Sequence, residues 1–64
     1  MTVPERLMLF CLASDTDWRK VPGLTDATAQ RMIKRGLVQH ERTTTHIVLT
    51  PQGRAVFATL VANG

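Results

Sequence analysis

Most of the basic residues in this 64-residue chain lie between positions 19 and 42. Six cations stand there against two anions, Asp26 and Glu41, which gives this stretch a local charge of +4. Two cations against three anions leave the rest of the chain at −1. The six cations are Arg19, Lys20, Arg31, Lys34, Arg35 and Arg42. Such a concentration of one sign of charge predicts an anionic partner.

Three further side chains, His40, His46 and Cys11, are of types that bind metals or act as nucleophiles. The two histidines oppose each other if a three-residue loop separates their strands, but two imidazoles are too few ligands for a zinc site. Cys11 stands among apolar residues, which predicts a buried thiol and, as the single cysteine, a reducing compartment. The chain has no paired carboxylates, glycine-rich phosphate loop or nucleophile elbow. We therefore expect no metal, no cofactor and no enzymatic activity.

Length and composition predict one small globular domain over residues 1–64. Hydrophobic residues make up 44% of the chain and charged residues 20%, which is too apolar for a disordered segment. A domain of this size buries only about 60% of its unfolded surface, so its core is thin. No apolar run approaches the roughly 18 residues of a membrane span, and the first residues lack the pattern of a signal peptide. We expect a cytoplasmic protein.

The first third of the chain predicts a helix and a short helical turn. Pro4 suits the first turn of a helix over about residues 4–13, in which residues 7–13 are apolar without interruption. A surface helix needs an apolar stripe of only about 100°, so this helix is either central or covered by another chain. After the turn formers of residues 14–17, a helical turn over about residues 17–21 ends at Pro22 and Gly23.

A second helix is predicted over about residues 25–35. Thr25 is a good N-cap, Asp26 suits the positive end of the helix dipole, and Gly36 suits a left-handed C-terminus. At 100° per residue, one side of this helix is apolar and comprises Ala29, Met32 and Ile33. The opposite side comprises Ala27, Gln30, Arg31 and Lys34, with Thr28 and Arg35 on its flank.

Residues 38–50 predict a β-hairpin, and a third helix follows over about residues 51–62. Ile47 and Leu49 alternate with polar or outward positions, and the tip at residues 43–45 is three threonines, for which we expect mobility. Thr50 as cap and Pro51 at the first helical position begin the last helix. The fold class is therefore α+β, with three helices and a two-stranded hairpin.

The segments Arg31-Met32-Ile33-Lys34-Arg35-Gly36-Leu37-Val38 and Ile47-Val48-Leu49-Thr50-Pro51-Gln52-Gly53 resemble a winged helix-turn-helix of the MarR type. In that family a recognition helix ends in Gly-Leu-Val, and the second wing strand closes in Leu-Thr-Pro-x-Gly before the next helix. The resemblance covers roughly residues 24–58. It implies a small winged helix-turn-helix that binds double-stranded DNA, as transcriptional regulators of bacteria and phages do.

The resemblance assigns roles to the basic stretch. The predicted helix at 25–35 becomes a recognition helix in the major groove, where Thr28, Gln30 and Arg31 contact bases. Lys34, Arg35, Arg19 and Lys20 contact phosphates, and Arg42 beside the wing tip enters the minor groove.

Each assignment has an alternative that the sequence leaves open. The polar face of the helix can simply be solvated, since Arg, Gln and Lys are good helix formers. Trp18, beside Arg19 and Lys20, can fill a thin core instead of resting on DNA. The apolar surplus of the first and last helices favours a second class of function, an interaction module that docks on a protein or on a second copy of itself. A two-fold homodimer is also compatible with a palindromic operator.

Overall fold

A computed structural model describes residues 1–42 and 46–63, and these form three α-helices and a two-stranded antiparallel sheet. The elements, in chain order, are α1 (Val3–Ala13), a 3-10 turn (Trp18–Lys20), α2 (Asp26–Lys34), β1 (Val38–His40), β2 (Ile47–Leu49) and α3 (Pro51–Asn63). The α+β class is confirmed. The predicted mobile tip at 43–45 lies outside the described residues.

Helix α1 begins at a capping box that joins Thr2 and Glu5. The Thr2 hydroxyl accepts the Glu5 backbone N–H at 3.3 Å, and a Glu5 carboxylate oxygen accepts the Thr2 backbone N–H at 3.0 Å. These bonds satisfy two of the groups that a helix N-terminus leaves without partners. The helix therefore starts one residue earlier than Pro4, its predicted first residue.

The same helix is the centre of the fold. It packs against α2, α3, β2 and the 3-10 turn. Met8 and Leu9 are fully buried on it, and the predicted burial of Cys11 is confirmed. Trp18 is also buried, so its ring belongs to the core. The buried apolar residues are Met8, Leu9, Cys11, Trp18, Leu24, Ala29, Met32, Leu37, Val38 and Ile47.

The residues that follow α2 contact the start of α3 through hydrogen bonds of Thr50 and a close approach of Gly53. Gly36 has a φ of 75°, the left-handed conformation predicted for it. The Thr50 hydroxyl donates to the Gly36 carbonyl at 2.6 Å and accepts the Gly53 N–H at 2.9 Å, so it caps α3 and fastens α3 to the turn after α2. A Cβ at Gly53 would lie 2.0 Å from the Leu37 carbonyl oxygen, so only glycine permits this approach. The two segments that carry the family resemblance thus form a single junction.

In the sheet, Val38 pairs with Leu49 and His40 pairs with Ile47. The pairing of His40 with His46 that a three-residue loop would produce does not occur, because this register places His46 opposite Glu41, whose N–H donates to the His46 carbonyl at 2.9 Å. Of the described helices, none has the length and apolar character that crossing a membrane requires.

Candidate nucleic-acid interface

Helix α2 buries one side and exposes the other. Ala29 and Met32 pack into the core with 5% and 0% of their surface exposed. Gln30, Arg31 and Lys34 are exposed on the opposite side, as the helical spacing predicts. The buried side therefore holds α2 against the core, and the exposed side presents Gln30, Arg31 and Lys34 to solvent as a polar, basic ridge.

Thr28 does not belong to that ridge. Only 2% of its surface is exposed, and its hydroxyl lies 3.5 Å from the Thr25 hydroxyl. Residues four apart on a helix differ by only 40° in direction, so Thr28 follows the buried Met32 into the core. The sequence-based placement of Thr28 among the outward base contacts is wrong.

Arg35 is partly engaged inside the molecule. Its guanidinium Nη1 lies 2.8 Å from a Glu5 carboxylate oxygen, in an ion pair that joins the C-cap of α2 to the first turn of α1. The Arg35 side chain is 50% exposed, whereas that of Glu5 is 6% exposed. Arg35 therefore binds Glu5 with one part of its guanidinium, while about half of its side chain remains accessible to solvent.

Glu5 is the residue of this region that the sequence analysis did not single out. Hydrogen bonds from the Thr2 backbone N–H and hydroxyl, followed by the hydrogen bond and charge of Arg35, lower the pKa of Glu5 to about 2, although burial acts in the opposite direction. Glu5 is thus a carboxylate whose charge Arg35 partly neutralises. The signal for it was present in the sequence, since Thr2-Val3-Pro4-Glu5 has the spacing of a capping box.

The 3-10 turn brings Arg19 close to the N-terminal end of α2. The Arg19 guanidinium carbon lies 5.5 Å from the centroid of the Trp18 ring, a cation–π distance. Arg19 and Trp18 line one cavity with Thr25 and Asp26, the first residues of α2. Lys20, the last residue of the turn, is exposed.

Arg42 is exposed two positions beyond β1. Its neighbour Glu41 lines a cavity together with Trp18 and Arg19, so this end of the sheet faces the 3-10 turn. The structure therefore associates Arg19 with both the start of α2 and the end of the sheet, while Arg31 and Lys34 share the exposed side of α2. Two exposed carboxylates, Asp26 and Glu41, stand within this basic region.

No protein-family model, curated protein or solved structure matches this chain.

Proposed function

We propose that this protein is a winged helix-turn-helix that binds double-stranded DNA as a transcriptional regulator. The exposed side of α2 enters the major groove, and the end of the two-stranded sheet approaches the adjacent minor groove. The observation that carries the proposal is the exposed ridge of Gln30, Arg31 and Lys34 on a helix whose other side is firmly packed. A rigid helix with planar and cationic side chains matches the dimensions and the donor pattern of the major groove.

The side chains of the ridge divide into two roles. Gln30 and Arg31 stand in the middle of α2 and contact base edges, with Gln30 suited to adenine and Arg31 to guanine. Lys34, one turn from Gln30, contacts a phosphate. Arg19 and Lys20 extend the phosphate contacts beyond the start of α2, where the ring of Trp18 holds the Arg19 side chain in place.

Two departures from the sequence-based assignment follow from the packing. Thr28 makes no base contact, because its side chain is buried. Arg35 makes a weaker phosphate contact than Lys34, because its guanidinium is shared with Glu5. Arg42 keeps the role of a minor-groove contact beside the sheet.

Salt dependence tests the phosphate contacts. Arg19, Lys20 and Lys34 contribute about −2.7 to the log–log slope of binding against salt, at roughly −0.9 for each contact, and the weaker contact of Arg35 adds less than one further contact. Fluorescence anisotropy with a labelled random-sequence duplex at several salt concentrations measures this slope. A slope near zero would reject the proposal.

Matched variants separate ridge residues from other cations. Lys34→Ala should reduce the magnitude of the slope by about 0.9. Arg54→Ala removes an exposed cation of α3 and should leave the slope unchanged. Asp26→Asn should strengthen binding, because it removes a carboxylate from the start of α2. If Arg54→Ala weakens binding as much as Lys34→Ala, the net charge of the protein attracts DNA and the basic ridge of α2 makes no specific contribution.

Base contacts need a separate test. Selection of bound sequences from a randomised duplex pool gives the sequence preference of the native chain. Arg31→Ala should lose the preference at one or two positions, with a loss of about 1–3 kcal/mol per position, while keeping its affinity for random DNA within a few fold. Unchanged preference in Arg31→Ala would remove Arg31 from base recognition.

A titration of the isotopically labelled chain with random duplex DNA reports affinity and surface together. We expect chemical-shift changes over residues 25–35 and 41–45. Changes confined to α1 and α3 would contradict the proposed orientation and favour the second candidate function.

That second candidate is self-association through α1 and α3. Val3, Leu7 and Phe10 occur at helical spacing on α1, and 62%, 42% and 44% of their surfaces are exposed. Phe10 contacts Phe57 of α3 edge to face at 5.0 Å, and Val61, one turn further along α3, is 53% exposed. Exposed apolar side chains grouped in this way are typical of an interface.

Sedimentation of the purified chain over a range of concentrations tests this candidate. We expect a monomer–dimer equilibrium that Leu7→Glu shifts to monomer, whereas Ala27→Glu, on the exposed side of α2, leaves it unchanged. A strict monomer at high concentration would rule out the dimer. DNA binding is assigned to α2 and self-association to α1 and α3, so the experiments can refute one function and support the other.

A further inference from the structure

One edge of the two-stranded sheet has backbone groups without a strand partner. The bonds Glu41 N–H to the His46 carbonyl and Thr50 N–H to the Leu37 carbonyl lie on either side of β2, at 2.9 and 3.1 Å. Hydrogen-bonded pairs alternate in an antiparallel sheet, so Val48 also directs its backbone groups at β1. Ile47 and Leu49 then direct theirs away from β1, where the described chain supplies no further strand.

A groove runs beside this outer edge. Two cavities of about 370 and 310 Å³ share Leu12, Asp15, Ile47 and Val48 in their walls and therefore adjoin. Leu49 completes the strand side of the larger one. Successive side chains of a strand point to opposite faces, so a cavity lined by three consecutive strand residues follows the edge of the strand and not one face.

The walls of the groove carry an excess of acid. Asp15 lines both cavities, and its carboxylate makes no hydrogen bond or ion pair with another described residue. Asp17 and Glu41 line the smaller cavity with Arg19, and Arg54 lines the larger one. Three residues with carboxylates and two with guanidinium groups thus line the groove, and His46 lines the smaller cavity with them.

The geometry points to a binding site for an extended, basic peptide segment of another protein, which adds to β2 as a third strand. The Ile47 and Leu49 N–H and carbonyl groups supply up to four backbone hydrogen bonds, and only another extended backbone pairs with such a row. Leu12 and Leu49, which are only partly buried, receive apolar side chains of the peptide, and Asp15 receives a cation at the centre of the groove. The excess of carboxylates disfavours both a polyphosphate and a second copy of this edge, which would bring a second set of acids.

A designed peptide tests the site in the full chain. The probe is acetyl-Thr-Val-Thr-Lys-Thr-Val-Thr-amide, which places both valines and the lysine on one face when extended. It is titrated to millimolar concentration into the isotopically labelled protein. We expect saturable shifts and slowed hydrogen exchange at the Ile47 and Leu49 amides. The Val48 amide, which already faces β1, is the internal control and should exchange at its original rate.

Two control peptides and two variants complete the experiment. N-methylation of alternate peptide amides removes the backbone donors and should abolish binding, and replacing the lysine by glutamate should weaken it. Asp15→Asn should weaken binding of the original peptide by up to about fivefold, the range for an exposed ion pair. Asn tolerates the left-handed φ of 59° at this position, so the backbone is kept. Asp26→Asn removes an exposed carboxylate that does not line the groove, and it should leave the affinity for the peptide unchanged.

The site is refuted if the probe gives no saturable shift at Ile47 and Leu49, or if its N-methylated form binds equally well. Equal affinity of the lysine and glutamate peptides would overturn the assignment of Asp15. None of these measurements uses DNA, and the outer edge of β2 and Asp15 are not among the proposed DNA contacts, so the peptide site and the proposed function can fail separately.

Discussion

Neutralising Glu5 should destabilise this protein in a way that depends on pH. Glu5 is 4% exposed and is bound by the Thr2 backbone N–H at 3.0 Å, the Thr2 hydroxyl at 2.8 Å and Arg35 at 2.8 Å. Glu5→Gln keeps a carbonyl oxygen that can accept from Thr2 but removes the charge that Arg35 requires. The substitution therefore tests both the capping box of α1 and its connection to α2.

The magnitude follows from the pKa of Glu5, which falls from 4.5 to about 2 on folding. At 1.36 kcal/mol per unit, this difference sets an upper bound of about 3 kcal/mol on the stabilisation. The Arg35 side chain is half exposed, so solvent screening reduces the expected loss in Glu5→Gln to about 1–2 kcal/mol. A chain of this length has a free energy of unfolding of about 3–10 kcal/mol, so the loss is readily measured.

The direction of the pH dependence is fixed by the sign of the pKa change. The folded state holds Glu5 ionised more strongly than the unfolded state does, so its contribution is fully present above about pH 4.5. It is lost as the pH falls from about 4.5 to about 2. The native chain should lose stability over this interval, and Glu5→Gln should lose about 1–2 kcal/mol less.

Urea denaturation followed by circular dichroism at pH 7, 4.5, 3 and 2.5 measures this difference. Glu41→Gln is the matched control, because Glu41 is exposed and outside the capping box, and its pH profile should follow that of the native chain. If Glu5→Gln and the native chain lose stability in parallel between pH 4.5 and 2.5, Glu5 is not held ionised by folding and the reasoning fails.

Three further predictions concern the junction and α2. Gly53→Ala should destabilise the protein by more than about 1 kcal/mol, because the new Cβ would collide with the Leu37 carbonyl oxygen. Helix propensity alone would stabilise this variant by about 1 kcal/mol, so a thermal melt in which the variant is more stable than the native chain would refute the close packing of Gly53 on Leu37. Thr50→Val should cost about 1–2 kcal/mol in urea denaturation, because the Gly36 carbonyl and the first turn of α3 both lose their partner, and an unchanged midpoint would contradict these bonds. Thr28→Val should leave DNA affinity within about twofold of the native value in an anisotropy titration, because the Thr28 side chain is buried. A tenfold loss of affinity would show that Thr28 contacts DNA.

The elements could be predicted from the sequence because their signals are local. Thr25 before α2, Gly36 after it, and Thr50-Pro51 before α3 each set a boundary through their own backbone preferences, and the observed bounds lie within one residue of those expected. The helical period likewise placed Met32 inside and Arg31 outside. Both kinds of signal depend on residues that are near in the chain.

The details of the basic surface could not be predicted in the same way. Thr28 stands at the flank of α2, and whether a flank residue is buried depends on how closely the neighbouring elements approach, which its own segment does not encode. The register of the sheet, which sets His40 against Ile47 and not against His46, depends on the junction at Leu37 and Thr50. These outcomes are decided by packing between elements.

The sequence alone determined the number and order of the elements, the class of the fold and the concentration of positive charge in the middle of the chain. Only the tertiary structure decided that Arg35 pairs with Glu5 across 30 positions, that Gly53 lies against Leu37, and that β2 has an edge open to a groove. The reason is physical: backbone propensity and capping act within a turn or two. Ion pairs, close backbone contacts and grooves arise only when segments distant in the chain are brought together by burial of the core.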